Sequence, residues 1–287
     1  MSSAEVGTVR ARRRERARRH GPSAFGDDLR RFTNLTLTLA TTDFKLRYFG
    51  SALGYLWSLM RPLLFFGVLY VIFSKVLKVG TEVRHYPVYL LTSIMLWTFF
   101  AETAGNSVQC LVSREGLLRK IRFPRLAIPL AVSLTALFTL TTNFVAVLIF
   151  ALASGVDPTA GWLELPLLVV ALAVCAVGTG MLLSALYVRF RDIAPIWEVA
   201  AQLLFYGSPV LYVAAKYKGL VHVAMCNPLA AILTQMRHVF VDPSAPSAAV
   251  YIGGAVRLLI PLGIVVGVFG LGLWFFNREA PRIAERL

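Results

Sequence analysis

The amino-acid sequence predicts an all-α integral membrane protein. Hydrophobic residues make up 57% of the 287-residue chain and charged residues only 15%, whereas a soluble domain carries about a quarter charged residues. Apolar stretches of about 20 residues, the length that a helix needs to cross the hydrocarbon core of a bilayer, recur along the chain. Lysines and arginines concentrate between alternate stretches. This composition excludes a soluble enzyme built on a large core.

Six stretches are long and apolar enough to be transmembrane helices. They run over Leu53–Leu77, Tyr86–Leu111, Leu126–Ala153, Leu163–Val188, Ile193–Val213 and Ala255–Phe276. The fifth is interrupted by Gly207, Ser208 and Pro209. Irregular backbone at membrane depth is tolerated only where protein or a water-filled cavity covers it, so we expect this break to be covered.

The distribution of positive charge predicts the orientation. If the N-terminus is cytoplasmic, 21 of the 29 lysines and arginines lie on the cytoplasmic side. Both termini are therefore predicted to lie in the cytoplasm, and the net charge of +14 reflects cytoplasmic loops and not a nucleic-acid partner. Residues 1–22 form an arginine-rich tail that we expect to be disordered. It either binds anionic membrane lipids or acts only as a topogenic signal; residues 23–287 form the transmembrane domain.

Two segments outside the predicted spans have helical features. Apolar side chains recur at helical spacing at Phe32, Leu35, Leu39, Leu46 and Phe49, which predicts an N-terminal amphipathic helix in the cytoplasmic interface; the alternative is a loose linker. Leu220–Met225 and Leu229–Phe240 are apolar but too short to span, and Asn227-Pro228 is a turn between them. An external re-entrant hairpin is favoured over a loose external loop.

The loop from Ser113 to Arg125 combines cations with exposed leucines. A short helix of this composition on the membrane face is suited to docking against a protein, and the alternative is an anchor that contacts only lipid. The candidate docking residues are Ser113, Arg114, Glu115, Leu117, Leu118 and Arg119.

Arg61 lies inside the first span. A charge is costly in hydrocarbon, so an arginine at this depth is a candidate functional residue. The alternative is that it extends to the lipid headgroups from the first turns of the helix. Glu102 and Glu198 are isolated acids within or near spans and make a weak proton relay. The three cysteines and four histidines do not have the spacing of a metal site.

The segment Asp43–Leu64 contains the pattern K-x-R-Y-x-G-S-x-L-G-Y-L-W-S-L-x-x-P-L. Its residues are Lys45, Arg47, Tyr48, Gly50, Ser51, Leu53, Gly54, Tyr55, Leu56, Trp57, Ser58, Leu59, Pro62 and Leu63. This pattern resembles the start of the membrane subunit of ABC-2 type exporters, in the branch that exports O-antigen, teichoic acid or galactan chains. Phe123-Pro124-Arg125 and Asn227-Pro228-Leu229 resemble the same family.

The resemblance implies a homodimer that works with two ATP-binding cassette subunits. The Ser113–Arg125 loop would be the coupling helix, and the hairpin would close the outer mouth. The family's translocation path follows the first and fifth spans, so Tyr55, Trp57, Tyr206 and Tyr212 are candidates for contact with the glycan. Lys45, Arg47 and Arg61 are candidates for its lipid pyrophosphate. The chain has no Walker motif, so ATP and Mg²⁺ are expected on the partner subunit, and no cofactor is expected here.

The predicted function is ATP-driven export of a lipid-linked polysaccharide from the cytoplasmic side of a bacterial inner membrane. The richness in Ala, Arg and Val is typical of high-GC bacteria and favours cell-wall galactan within the family. Three alternatives remain open: an ABC-2 exporter of drugs or other small molecules, an ATP-independent lipid-sugar flippase, and a membrane-embedded lipid-sugar enzyme. The chain itself is predicted to be a non-catalytic permease.

Overall fold

A computed structural model describes residues 29–48, 54–78, 83–116 and 124–286. These residues form ten α-helices: α1 Leu29–Tyr48, α2 Gly54–Tyr70, α3 Tyr86–Val108, α4 Ala127–Ala153, α5 Leu165–Arg189, α6 Ile193–Gly207, α7 Val221–Ala224, α8 Pro228–Met236, α9 Ala248–Ile252 and α10 Leu259–Arg286. Single π-helical turns follow α2 (Val71–Val76) and α8 (Arg237–Val241), and 3₁₀ turns cover Ala160–Glu164, Ala214–Leu220 and Ala255–Leu258. No strand occurs in these four ranges. The fold is therefore all-α, as predicted.

The helix α3 is the centre of the bundle. Its first half is mainly apolar and is buried throughout residues 88–96, and Leu90, Leu91, Ile94 and Leu96 are each at most 1% exposed. A helix that is hydrophobic all round is buried by its neighbours, and α3 packs against α2, α4, α5 and α6. Its last turn lines a cavity at one end of the bundle through Asn106. At the other end, Tyr86 and Tyr89 bond to the backbone after α6.

Within the described ranges, five helices or helical segments are long and apolar enough to cross a membrane. They coincide with the first four and the sixth predicted spans: Leu59–Val76, Tyr86–Val108, Ala127–Ala153, Ala160–Arg189 and Ala255–Ala280. The chain is therefore a multi-pass membrane protein. The fifth predicted span contains α6, which has only 15 residues, so the total of six stays a prediction.

The break that was predicted within the fifth span is present. The helix α6 ends at Gly207, and the backbone is extended at Ser208. The next helical turn begins at Ala214, so the chain does not remain helical as far as Val213. The physical reason is local: a proline at position 209 disfavours helical conformation at the residue before it.

Polar side chains within the spanning helices bond to their own backbone. Along α4, the hydroxyls of Ser133, Thr135 and Thr142 each donate to the carbonyl four residues earlier, at 2.9 Å. In hydrocarbon an unsatisfied polar group is costly. These bonds explain why a threonine-rich segment such as 133–142 can still form a membrane helix.

The helices α5 and α10 pack backbone against backbone. Here Gly178 on α5 faces Gly272 on α10, and a methyl group added at Gly272 would lie 2.2 Å from the carbonyl oxygen of Gly178. A methyl group added at Gly178 would lie 2.6 Å from the α-carbon of Phe269. Small residues let membrane helices approach until their backbones touch, so this glycine pair fixes the distance between the two helices.

Candidate functional site

The first candidate site is a cavity of about 490 Å³ at the end of the bundle where α1 lies, which we call the α1 end. It opens between α1, the last turn of α3 and the first half of α4. The lining residues are Asp43, Leu46, Arg47, Asn106, Cys110, Ser113, Arg114, Val132 and Thr135. The wall thus contains two cations and one acid, and it includes the start of the loop that was predicted to dock a partner.

Two ion pairs cross this cavity's rim. Arg114, at the start of the loop, donates to the carboxylate of Asp43 on α1. Arg47 on α1 lies 3.6 Å from the carboxylate of Glu102 on α3. All four side chains are 21–40% exposed, so solvent screening keeps the strength of each pair modest. Their position matters more than their strength, because one pair connects α1 to α3 and the other connects α1 to the start of the Ser113–Arg125 loop.

The helix α1 is also attached to α4 by hydrogen bonds. The hydroxyls of Tyr48 and Thr139 lie 2.9 Å apart, and Thr135 donates to the carbonyl of Ala40 at 3.2 Å. Thr36 and Ala40 are buried in this contact, whereas Leu46 is 74% exposed. The predicted helix is therefore confirmed over 29–48, but small and polar residues make its buried face. Phe49 lies outside the described residues.

Burial raises the pKa of the Cys110 thiol to about 12, and the nearby Arg114 opposes this shift only partly. Cys110 lies just beyond the end of α3 and is 4% exposed. The thiol is therefore protonated at neutral pH and is a poor nucleophile. Among the described residues, no group of three His, Cys, Asp or Glu side chains has a metal-binding arrangement.

The second candidate site is at the opposite end of the bundle, around the break that follows α6. Three carbonyls beyond or at the end of α6 accept hydrogen bonds from tyrosines: Leu211 from Tyr86 at 2.8 Å, Tyr206 from Tyr212 at 2.6 Å and Gly207 from Tyr217 at 2.9 Å. Such bonds satisfy carbonyls that a broken helix leaves without partners. The protein itself covers the break, as the sequence analysis required.

Tyr89 of α3 is the most enclosed member of this tyrosine group. It is 2% exposed, and its hydroxyl contacts the carbonyls of both Pro209 and Tyr212, the second at 2.8 Å. Burial raises the pKa of Tyr217 far above its usual range, as does the hydrogen bond with Tyr212. The hydroxyl of Tyr217 therefore remains protonated and can donate.

The segment 221–241, which we call the hairpin, contacts the same break. Asn227 begins α8 by accepting a hydrogen bond from the backbone of Leu229 at 3.0 Å, and its amide donates to Ser208 at 3.0 Å. Arg237 lies over the ring of Tyr89 at 5.9 Å, which is within cation–π range. The predicted short helices and the turn at Asn227-Pro228 are confirmed. Re-entry into the membrane stays a prediction.

The predicted site residues fall into separate parts of the molecule. Lys45 and Arg47 are exposed near the end of α1, and Arg61 is exposed on α2. Ser113, Arg114 and Glu115 leave α3 through hydrogen-bonded turns. The docking residues Leu117, Leu118 and Arg119 lie outside the described residues.

The four aromatic glycan candidates lie on α2 and around the break at the end of α6, and their contact with a glycan stays a prediction. Trp57 and Tyr206 are 60% and 58% exposed, whereas Tyr212 uses its hydroxyl to bond the backbone of Tyr206. Tyr55 lies in the first turn of α2. The first and fifth predicted spans do meet, because the rings of Phe65 and Phe205 are 6.2 Å apart.

Sequence reasoning missed Asp43 and Tyr89. Asp43 precedes the cations of the Lys45–Arg47 segment, but its partner Arg114 lies 71 positions away, so no neighbouring residue pointed to this pair. Glu102 was considered an isolated acid, whereas Arg47 is its partner. Tyr89 gave no sequence signal, because an aromatic residue in a span is ordinary.

The described residues comprise five helices or helical segments long and apolar enough to span a membrane, the helix α1 and a short hairpin. The family model for ABC-2 type transporters matches residues 34–241. The chain belongs to the ABC-2 type transporter family. Its predicted family is thereby confirmed, and the match extends from α1 through the hairpin.

Curated relatives place this ABC-2 chain near polysaccharide exporters. Two O-antigen export system permease proteins, both named RfbA and from Klebsiella pneumoniae, are 31% and 30% identical over 260 residues, and each alignment covers 88% of this chain and 95% of the relative. A third RfbA, from Myxococcus xanthus, is 26% identical over 224 residues, covering 77% of this chain and 85% of the relative. The chain is thus similar to polysaccharide export permeases over nearly its whole length.

Proposed function

We propose that this chain is the membrane-spanning subunit of an ATP-driven exporter that moves a lipid-linked polysaccharide out of the cytoplasm. The observation that carries the proposal is the likeness to O-antigen export permeases over 88% of the chain. Cell-wall galactan is our preferred substrate on composition, and teichoic-acid-like polymers are the alternative. The chain forms a homodimer with two ATP-binding subunits, which hold ATP and Mg²⁺. It lies in a bacterial inner membrane with both termini and the α1 end in the cytoplasm.

The Arg114–Asp43 pair supports a route for coupling between the ATP-binding subunit and α1. Arg114 begins the loop that we propose to dock the ATP-binding subunit, and Asp43 belongs to the interface helix. A displacement of the loop is therefore passed to α1 directly, and through Arg47 and Glu102 to α3. The interface helix and the central helix of the bundle thus respond together when the ATP-binding subunit moves.

Lys45 and Arg47 are our candidates for first contact with the pyrophosphate of the lipid carrier. Lys45 is exposed on α1 and has the flexible ammonium group that suits a phosphate. Arg47 is paired with Glu102 in this structure, so a pyrophosphate would have to compete with that carboxylate. Arg61, the third cation predicted for this role, is exposed on α2 and stays a candidate for the same pyrophosphate.

The docking proposal predicts that the chain co-purifies with the ATPase encoded beside its gene. Changing Glu115→Ala together with Leu118→Ala is expected to abolish the stimulation of ATP turnover by lipid-linked glycan, because both residues lie in the docking loop. The matched control is Glu164→Ala with Leu167→Ala, the same two changes at the same spacing and at exposed positions at the other end of the bundle, and it should leave turnover unchanged. A permease that purifies alone, with no ATPase bound in lipid, would contradict the proposal.

The pyrophosphate proposal predicts that Lys45→Glu reduces export of glycan to the cell surface, because a carboxylate at this position repels the carrier. Arg31→Glu makes the same charge change at an exposed position near the other end of α1 and should leave export near the unsubstituted level. Surface glycan is measured by lectin or antibody binding, with the amount of assembled complex measured in parallel. Equal export by the two variants would remove Lys45 from this role.

A further inference from the structure

Three exposed arginines at the ends of α5 and α10 lie over aromatic rings. The distances from guanidinium carbon to ring centre are 5.1 Å for Arg189 over Phe190, 5.0 Å for Arg191 over Tyr187 and 5.4 Å for Arg278 over Trp274. We call these three residues the stacked arginines. A further pair, Arg237 with Tyr89, differs because its ring is 2% exposed and lies inside the protein.

The stacked arginines share the α1 end of the bundle. Ala185 of α5 and Ala280 of α10 belong to one buried cluster, against which Phe32 of α1 packs. The helices α5 and α10 therefore both run towards this end, and their last turns lie side by side.

The glycine contact between these helices also sets the depth of the arginines. Gly178 lies level with the segment 269–272 of α10. With 1.5 Å of rise per residue, Arg189 lies about 17 Å beyond this level and Arg278 about 9–14 Å beyond it. The headgroup layer on each side of a bilayer is about 5–8 Å thick. Both guanidinium groups thus fit within one headgroup layer.

The outward face of α10 shows what surrounds this end. Exposed residues recur at intervals of three, four and seven positions and form one stripe along the helix: Ile260, Ile264, Leu271, Trp274 and Arg278. An apolar stripe that ends in a tryptophan and then a cation is typical of a membrane helix that leaves the hydrocarbon at the headgroups. The stripe favours lipid as the neighbour of Arg278 over a protein.

Stacking prepares an arginine to bind a phosphate. The ring covers one face of the guanidinium, whereas its N–H groups lie in the plane and remain available to donate to two phosphate oxygens. The ring also restricts the side chain before binding, so less conformational entropy is lost on binding. Asp192 follows Arg191 in the chain and offsets part of its charge, which makes Arg189 and Arg278 the stronger anion ligands.

We propose that Arg189 and Arg278 bind the headgroup phosphates of anionic phospholipids, with Arg191 as an auxiliary contact. The bound lipids attach the packed ends of α5 and α10 to the membrane surface. The proposal needs neither a glycan nor an ATP-binding subunit, so it stands or fails separately from the proposed function.

The test is native mass spectrometry of the full-length permease in detergent, titrated with phosphatidylglycerol or phosphatidylcholine. We expect phosphatidylglycerol to bind more tightly, and Arg189→Gln and Arg278→Gln each to weaken its binding about fivefold, the factor for one cation near an anionic surface. Arg84→Gln, the same change at an exposed position at the opposite end, is the control and should leave the affinity unchanged. Equal affinities in all three variants, or equal binding of the two lipids, would overturn the proposal.

Two further variants test the stacking. Trp274→Leu keeps every charge and Arg278→Lys keeps the cation, but each removes the stacked guanidinium, so both are expected to weaken phosphatidylglycerol binding. Unchanged binding in both would overturn the stacked geometry.

Two competing occupants are also tested. Inorganic phosphate at the same concentration should not displace the lipid, and full displacement would overturn the assignment to a lipid headgroup. If Arg189→Gln loses a bound ATPase while its affinity for phosphatidylglycerol is unchanged, the turn after α5 contacts protein, and its assignment to lipid is overturned.

Discussion

Gly272→Ala is expected to lower the thermal midpoint of the purified permease by about 5–10 °C, the effect of about 2–3 kcal/mol in a protein of this size. The added methyl group would lie 2.2 Å from the carbonyl oxygen of Gly178. Backbone cannot give way as a flexible side chain can, so α5 and α10 must move apart. The midpoint is measured by tryptophan fluorescence in detergent.

Gly270→Ala is the matched control for this change. Gly270 lies on the same helix, and nothing lies within 4 Å of a methyl group added there. Alanine also has the higher helix propensity, by about 1 kcal/mol. The control should therefore be neutral or slightly stabilising. If both variants unfold at the same temperature, the close contact of Gly178 with Gly272 does not set the stability of the bundle.

Tyr89→Phe is expected to destabilise the permease by about 1–3 kcal/mol and to reduce export. The change removes a buried hydroxyl that contacts the carbonyls of Pro209 and Tyr212, and it leaves both carbonyls short of a donor in an apolar environment. The ring of Phe keeps the volume of the side chain, so the effect reports the hydrogen bonds. Thermal unfolding gives the stability, and surface glycan gives the export.

Tyr206→Phe serves as the control because that side chain is 58% exposed. Removing its hydroxyl therefore leaves no buried carbonyl without a donor. Its unfolding midpoint should match that of the unsubstituted protein. A Tyr89→Phe variant with normal stability and export would mean that the break after α6 does not depend on the hydroxyl of α3.

The helices of this protein could be predicted from sequence because each rests on a local pattern. Long apolar runs determine α3, α4, α5 and α10, and Asn227-Pro228 determines the start of α8. The family followed from the residues between Lys45 and Leu63. These features need only neighbouring residues, so they can be read before any tertiary contact is known.

The pairings could not be predicted because they join residues far apart in the chain. Asp43 and Arg114 are separated by 71 positions, and Tyr89 and Tyr212 by 123. The sequence showed that charges and a helix break had to be compensated, but not by which side chain.

The contact between Arg114 and Asp43 has a consequence for chimeric exporters. The helix α1 and the start of the Ser113–Arg125 loop each contribute one charge to the same pair, so under the proposed function they act as a matched unit. Exchanging the loop alone with that of a relative, to redirect the permease to another ATPase, can introduce a residue that leaves Asp43 without a cation. Segments for such exchange are better chosen so that positions 43 and 114 come from the same parent.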